Sequence, residues 1–121
     1  MKIRIRGNSI RMRLSKTDVR RLCESGCLQE ETVFPNSRFV YALQKADTAE
    51  LSASFEDNTI RLLVPATFLA NWHANNVVGM NSNMPVSETV SLYLLIEKDF
   101  ACLDHSSEDQ SDNYENPNKT C

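Results

Sequence analysis

The feature that most constrains this chain is a period-two alternation on both sides of Gly7-Asn8. Ile3 and Ile5 alternate with Lys2, Arg4 and Arg6, and Ile10, Met12 and Leu14 alternate with Arg11 and Arg13. Strand side chains point to opposite faces in turn, so each run presents one aliphatic edge and one basic edge. Glycine and asparagine both accept the positive φ of a tight turn, and the two runs read as a hairpin. With Arg6 opposite Ser9, Ile5 faces Ile10, Arg4 faces Arg11 and Ile3 faces Met12. One face is then wholly aliphatic and the other basic.

The same signal returns later in the chain. Leu51, Ala53 and Phe55 alternate with Ser52, Ser54 and Glu56, Asp57-Asn58 takes the turn, and Thr59 to Val64 runs back. Ile10 matches Ile60, an offset of 50, and that offset also aligns Asn8 with Asn58, Arg11 with Arg61 and Thr17 with Thr67. Each hairpin leads into a helix signal. Ser15 or Thr17 can cap the first, Val19, Leu22 and Cys23 fall at helical spacing, and Gly26 is a natural stop. Pro65 suits the first turn of the second, with Phe68, Leu69 and Trp72 on its apolar face. Residues 28–34 and 38–45 read as strands around a Pro35-Asn36-Ser37 turn. Val77–Met80 and Val90–Ile96 read as strands around a polar loop, Asn81–Thr89. The predicted fold is α+β, mainly antiparallel β and barrel-like, with two β-β-α-β-β pseudo-repeats in one chain. Residues 1–104 are expected to form one pseudo-two-fold domain, and residues 105–121 an acidic polar tail packed on it or extending from it. The predicted core holds Ile3, Ile5, Ile10, Met12, Leu22, Phe55, Ile60, Leu62, Leu69, Leu92, Leu94 and Ile96.

With 121 residues, 41% of them hydrophobic, the chain can bury one core without needing disulfides. The longest apolar run, Leu92–Ile96, is too short to span a bilayer. No export signal is recognisable, so Cys23, Cys27, Cys102 and Cys121 are expected to be reduced and the protein cytoplasmic.

Two resemblances rest on these residues. Gly7-Asn8-Ser9, the strand Ile10–Leu14, the short helix after Ser15, and Arg61-Leu-Leu-Val-Pro-Ala-Thr67 resemble the AbrB/MazE swapped-hairpin family. That likeness implies two interleaved halves in one polypeptide and nucleic acid as a partner. The sequence departs from the pattern at Ser15, where the family has proline, and at Asp57, where it has the turn glycine. The opening Met1-Lys-Ile-Arg-Ile-Arg-Gly-Asn-Ser-Ile-Arg11, the stretch Glu97-Lys-Asp-Phe-Ala-Cys-Leu-Asp104 and Asn116-Pro117 resemble a small bacterial family of unknown function, which implies no activity.

Charge is split along the chain. The first 21 residues hold eight cations against Asp18 alone, and residues 97–115 hold seven acids against Lys98 alone, although the net charge is only −3. Lys2, Arg4, Arg6, Arg11 and Arg13 are therefore candidates for an anion or nucleic-acid site, since like charges across a hairpin need neutralising. The alternative is that the acidic tail lies across them, with Tyr114 as an apolar anchor, or that water alone solvates them. Cys102, His105 and Cys121, with Asp104 or His73, could hold zinc. Free thiols and a solvent-facing imidazole account for the same residues without metal. Cys23 and Cys27 stand one helical turn apart and read as small buried hydrophobes. Neither His73 nor His105 lies in a nucleophile motif, and three glycines make no phosphate loop. The expectation is a non-enzymatic binding or interaction module with no assigned ligand or cofactor. Nucleic-acid binding and zinc binding are the alternatives.

Overall fold

The structure, a computed structural model, describes residues 1–100 together with Asp112 and Tyr114. The first half runs β1 (Lys2–Ile5), β2 (Ser9–Leu14), α1 (Lys16–Ser25), β3 (Cys27–Val33) and β4 (Arg38–Ala46). The second runs β5 (Ser52–Glu56), β6 (Thr59–Pro65), α2 (Ala66–Leu69), β7 (Gly79–Pro85) and β8 (Ser91–Lys98). The element order is thus β-β-α-β-β twice.

The first hairpin forms in the register that its alternation demands, with Ile5 opposite Ile10, Arg4 opposite Arg11 and Ile3 opposite Met12. Gly7 takes the positive φ, 54°, and the Arg6 N–H donates to the Ser9 carbonyl at 3.2 Å. In the second hairpin Asp57 and Asn58 both take positive φ, 50° and 59°. That pair of angles matches the right-handed twist of the flanking strands. Ser15 caps α1: its hydroxyl accepts from the Asp18 N–H, and the Asp18 carboxylate accepts from the Ser15 N–H. Gly26 closes the helix at φ 77°.

The strands make two four-stranded sheets, ordered β1-β2-β8-β7 and β3-β4-β6-β5. Each sheet takes one hairpin from each half, and exchanging the halves turns one order into the other. Hairpin partners pair antiparallel, while the central pairs, β2 with β8 and β4 with β6, are parallel. Those parallel pairs start in step, Ser9 opposite Tyr93 and Thr59 opposite Val40. All four hairpin turns therefore gather at one end, and the connections through α1 and α2 at the other. Between the sheets lie Met12, Leu14, Leu22, Leu43, Leu62, Leu94 and Ile96, all fully buried.

Several expectations are corrected. The barrel does not close. Where β1 nears β3, the Met1 ammonium sits 2.7 Å from Glu30 and the Tyr41 hydroxyl donates to the Met1 carbonyl. Where β5 nears β7, the Ser82 hydroxyl donates to the Leu51 carbonyl at 2.6 Å and the Ala53 N–H reaches the Met84 thioether. Side chains occupy both seams in place of a backbone ladder. The second helix stops at Leu69 and has no side-chain cap; Trp72 lies beyond it, fully buried, its indole donating to the Val77 carbonyl at 2.8 Å. The predicted loop from Asn81 is instead most of β7, which pairs with β8 alone. On that edge Asn81 and Asn83 face water while Met80, Ser82 and Met84 turn inward, and Pro85 ends the strand where no ladder N–H is needed. Cys27 belongs to β3 and is exposed, because Gly26 ends the helix before a shared helical face can form; Cys23 is half-buried. Ile5 and Phe55, predicted as core, are 55% and 67% exposed.

Candidate functional site

Ile5 and Phe55 hold the last alternating position before the turn in their two hairpins, opposite Ile10 and Ile60. The tips of the hairpins stand apart, so these two side chains meet a cleft instead of each other. The cleft has a volume of about 500 Å³ and lies between Ile5, Ile10, Phe55 and Ile60, with Phe39 and Leu92 as the neighbouring wall. Ala53 and Met84 reach it from the β5–β7 seam. Its size falls in the range of small-ligand sites.

The rest of the turn end is also apolar. Phe34 and Val33 are 53% and 74% exposed, and Val86 is 59% exposed in the β7–β8 turn. Of the nine exposed large hydrophobic residues among the described residues, Ile5, Val33, Phe34, Phe55, Val86, Val90 and Tyr93 are at this end, and Val77 and Val78 are elsewhere. Scattered surface apolar residues need no explanation, but a cluster at one end marks an interaction surface.

The hairpin places the five cations of the basic ribbon on one face, and two carboxylates neutralise part of their charge. Arg11 and Arg13 reach Glu97 at 3.7 and 2.9 Å, and Lys2 reaches Asp99 at 3.2 Å. Glu97 lies in β8 and Asp99 just after it, where that strand runs beside β2 in the same sheet. Arg4 and Arg6, nearest the tip, are exposed and make no ion pair among the described residues. With Arg11 and Tyr93 they border a recess of about 120 Å³.

Taken together, this is a two-sheet domain with its open surface at the turns and no assembled catalytic group there among the described residues. The chain belongs to DUF7009, a family of unknown function. The match spans residues 1–118. No curated protein and no solved structure matches the chain.

The described part of the tail does not dock on the ribbon. Asp112 sits at the start of α1, where its carbonyl accepts from the Lys16 N–H and its carboxylate from the Thr17 N–H and hydroxyl. Hydrogen bonds from Ser15 and Thr17 hold the Asp112 carboxyl below its ordinary value. Tyr114 bridges to Phe100 and packs 5.0 Å from the Lys98 amine. Lys98 is buried, donates to the Asn75 carbonyl at 2.7 Å and faces the Trp72 ring; burial lowers its pKa. Burial likewise raises the Cys23 thiol. His73 is exposed. Cys102, His105 and Cys121 lie outside the described residues. Among the described residues no group of three or more His, Cys, Asp and Glu side chains could hold a metal ion. No described helix is long and apolar enough to cross a membrane.

Sequence reasoning missed the cleft because core and rim residues share one alternation signal. The discriminating feature was position: Ile5 and Phe55 are each the last apolar residue before a turn, where the two sheets stand apart around the cleft.

Proposed function

We propose that the protein is a non-enzymatic, cytoplasmic interaction module that binds an apolar partner surface or group at the turn end of its two sheets. The observation that carries this is the gathering of large exposed apolar side chains around one apolar cleft. Their burial would contribute roughly 25 cal/mol per Å² removed from water, which gives the end a driving force for association. Cys23 and Cys27, both free thiols, suit a reducing compartment. The cations of the ribbon are mostly paired with Glu97 and Asp99, which favours this reading over nucleic-acid binding along the ribbon.

The test is titration of dilute protein with a solvatochromic apolar dye. Saturable enhancement is expected, and Ala53→Phe, which fills the cleft, should reduce it severalfold while leaving the circular dichroism spectrum unchanged. Enhancement indifferent to Ala53→Phe would contradict the reading.

A further inference from the structure

The two hairpin tips that flank the cleft hold equivalent positions in their halves and are opposite in charge. At the offset of 50 that relates the hairpins, Arg6 corresponds to Glu56, Gly7 to Asp57 and Arg4 to Ser54. Arg4 and Arg6 make the first tip positive. Glu56 and Asp57 make the second negative, with Arg61 set further back opposite Ser54. All four tip charges are exposed, and none forms an ion pair among the described residues. Within one molecule they cannot meet, because the cleft lies between them.

A second copy of the same end supplies what each tip lacks. Two copies can face each other, turn end to turn end, about a two-fold axis lying in the interface. If that axis runs along the line joining the tips, each tip meets its own copy, placing Arg6 on Arg6 and Glu56 on Glu56. If it runs at right angles to that line, each positive tip meets a negative tip, twice by symmetry. Like charges set together at an interface are strongly unfavourable, so charge selects the crossed arrangement. It also sets the two clefts face to face, with Ile5 of each copy beside Phe55 of the other, the same patch serving both copies as in any isologous interface.

We infer that the occupant of the turn end is a second copy of this chain, in a crossed two-fold dimer held by Arg6 against the partner's Glu56 and by mutual cover of the two clefts. The inference rests on the binding reading above and names the partner for it.

The test is sedimentation velocity over a concentration series, with native mass spectrometry of mixtures. The wild type should shift from monomer to dimer as concentration rises. Arg6→Glu alone and Glu56→Arg alone should each weaken self-association more than about tenfold, because each sets like charges together. An equimolar mixture of the two should restore association as a heterodimer. In it the Arg6→Glu copy carries glutamate at both positions 6 and 56 and the Glu56→Arg copy carries arginine at both, so every crossed contact between position 6 and position 56 is again an opposite pair. The double variant should associate like the wild type. Thermal melts confirm that each variant is folded. A wild type that stays monomeric throughout, or a mixture that gives no heterodimer, would overturn the inference. In that event retained dye binding sensitive to Ala53→Phe leaves the turn end as a site for another partner, whereas its loss removes the binding reading as well.

Discussion

Ile60 and Phe55 face each other across the second hairpin and have opposite fates. Ile60 is 7% exposed within the core cluster, and Phe55 is 67% exposed at the cleft mouth. Ile60→Ala should therefore cost about 2–5 kcal/mol, the range for deleting a packed aliphatic side chain. Phe55→Ser should stay near the ~0.5 kcal/mol of a surface change. Urea denaturation of the two variants measures both, and equal losses would mean that the cleft is filled within the monomer. Asp112 gives a pH-dependent counterpart. Hydrogen bonds from Ser15 and Thr17 lower its pKa below the ordinary 3.8. Its contribution is thus complete above about that pH and is lost as pH falls through the folded value. Carboxylates at a helix start contribute ~0.3–1 kcal/mol, so the effect is local. The Thr17 amide resonance should move with a midpoint below 3.8 and stop moving in Asp112→Asn; a midpoint above 3.8 would contradict the docking.

At the scale of elements, legibility followed how local the signal was. Both hairpins could be read because alternation, turn residues and register are all encoded within about a dozen neighbouring positions. The cap of α1 was legible for the same reason, with Ser15 and Gly26 bracketing Val19 and Leu22. Strand β7 was not. Asn81 and Asn83 look like loop residues, and only its place at a sheet edge makes them tolerable in a strand. The alternation of Met80, Ser82 and Met84 was the overlooked signal. Nor was the failure of the barrel to close legible, since it depends on seam contacts such as Tyr41 to Met1, made between residues far apart in sequence. The β7–β8 pairing makes its own prediction. A Cβ at Gly79 would collide with the Ile96 carbonyl oxygen and lie 2.9 Å from the Glu97 Cα. Gly79→Ala should push the edge strand away and cost about 1–3 kcal/mol, as overpacking does. Hydrogen exchange should show faster opening along Gly79–Pro85 than along β4 and β6, and uniform protection across both sheets would contradict it.

For the whole molecule, two sheets enclose one core and leave their turn end open, and that end carries seven of the nine exposed large apolar side chains among the described residues together with the tip charges of Arg4, Arg6, Glu56 and Asp57. The other end is closed by α1, Trp72 and the Tyr114 contact over Lys98. The sequence carried the charge split but not its resolution. Glu97 and Asp99 neutralise one stretch of the ribbon because β8 runs parallel beside β2, a pairing between distant segments that no local pattern announces. Binding at the turn end is tested most directly by photolabelling of dilute protein with an apolar benzophenone probe, followed by peptide mapping. Adducts are predicted on the segments holding Ile5–Ile10, Phe39, Ala53–Ile60 and Leu92. Adducts concentrated instead on Val77 and Val78, or in the recess between Cys23, Lys45 and His73, would contradict it.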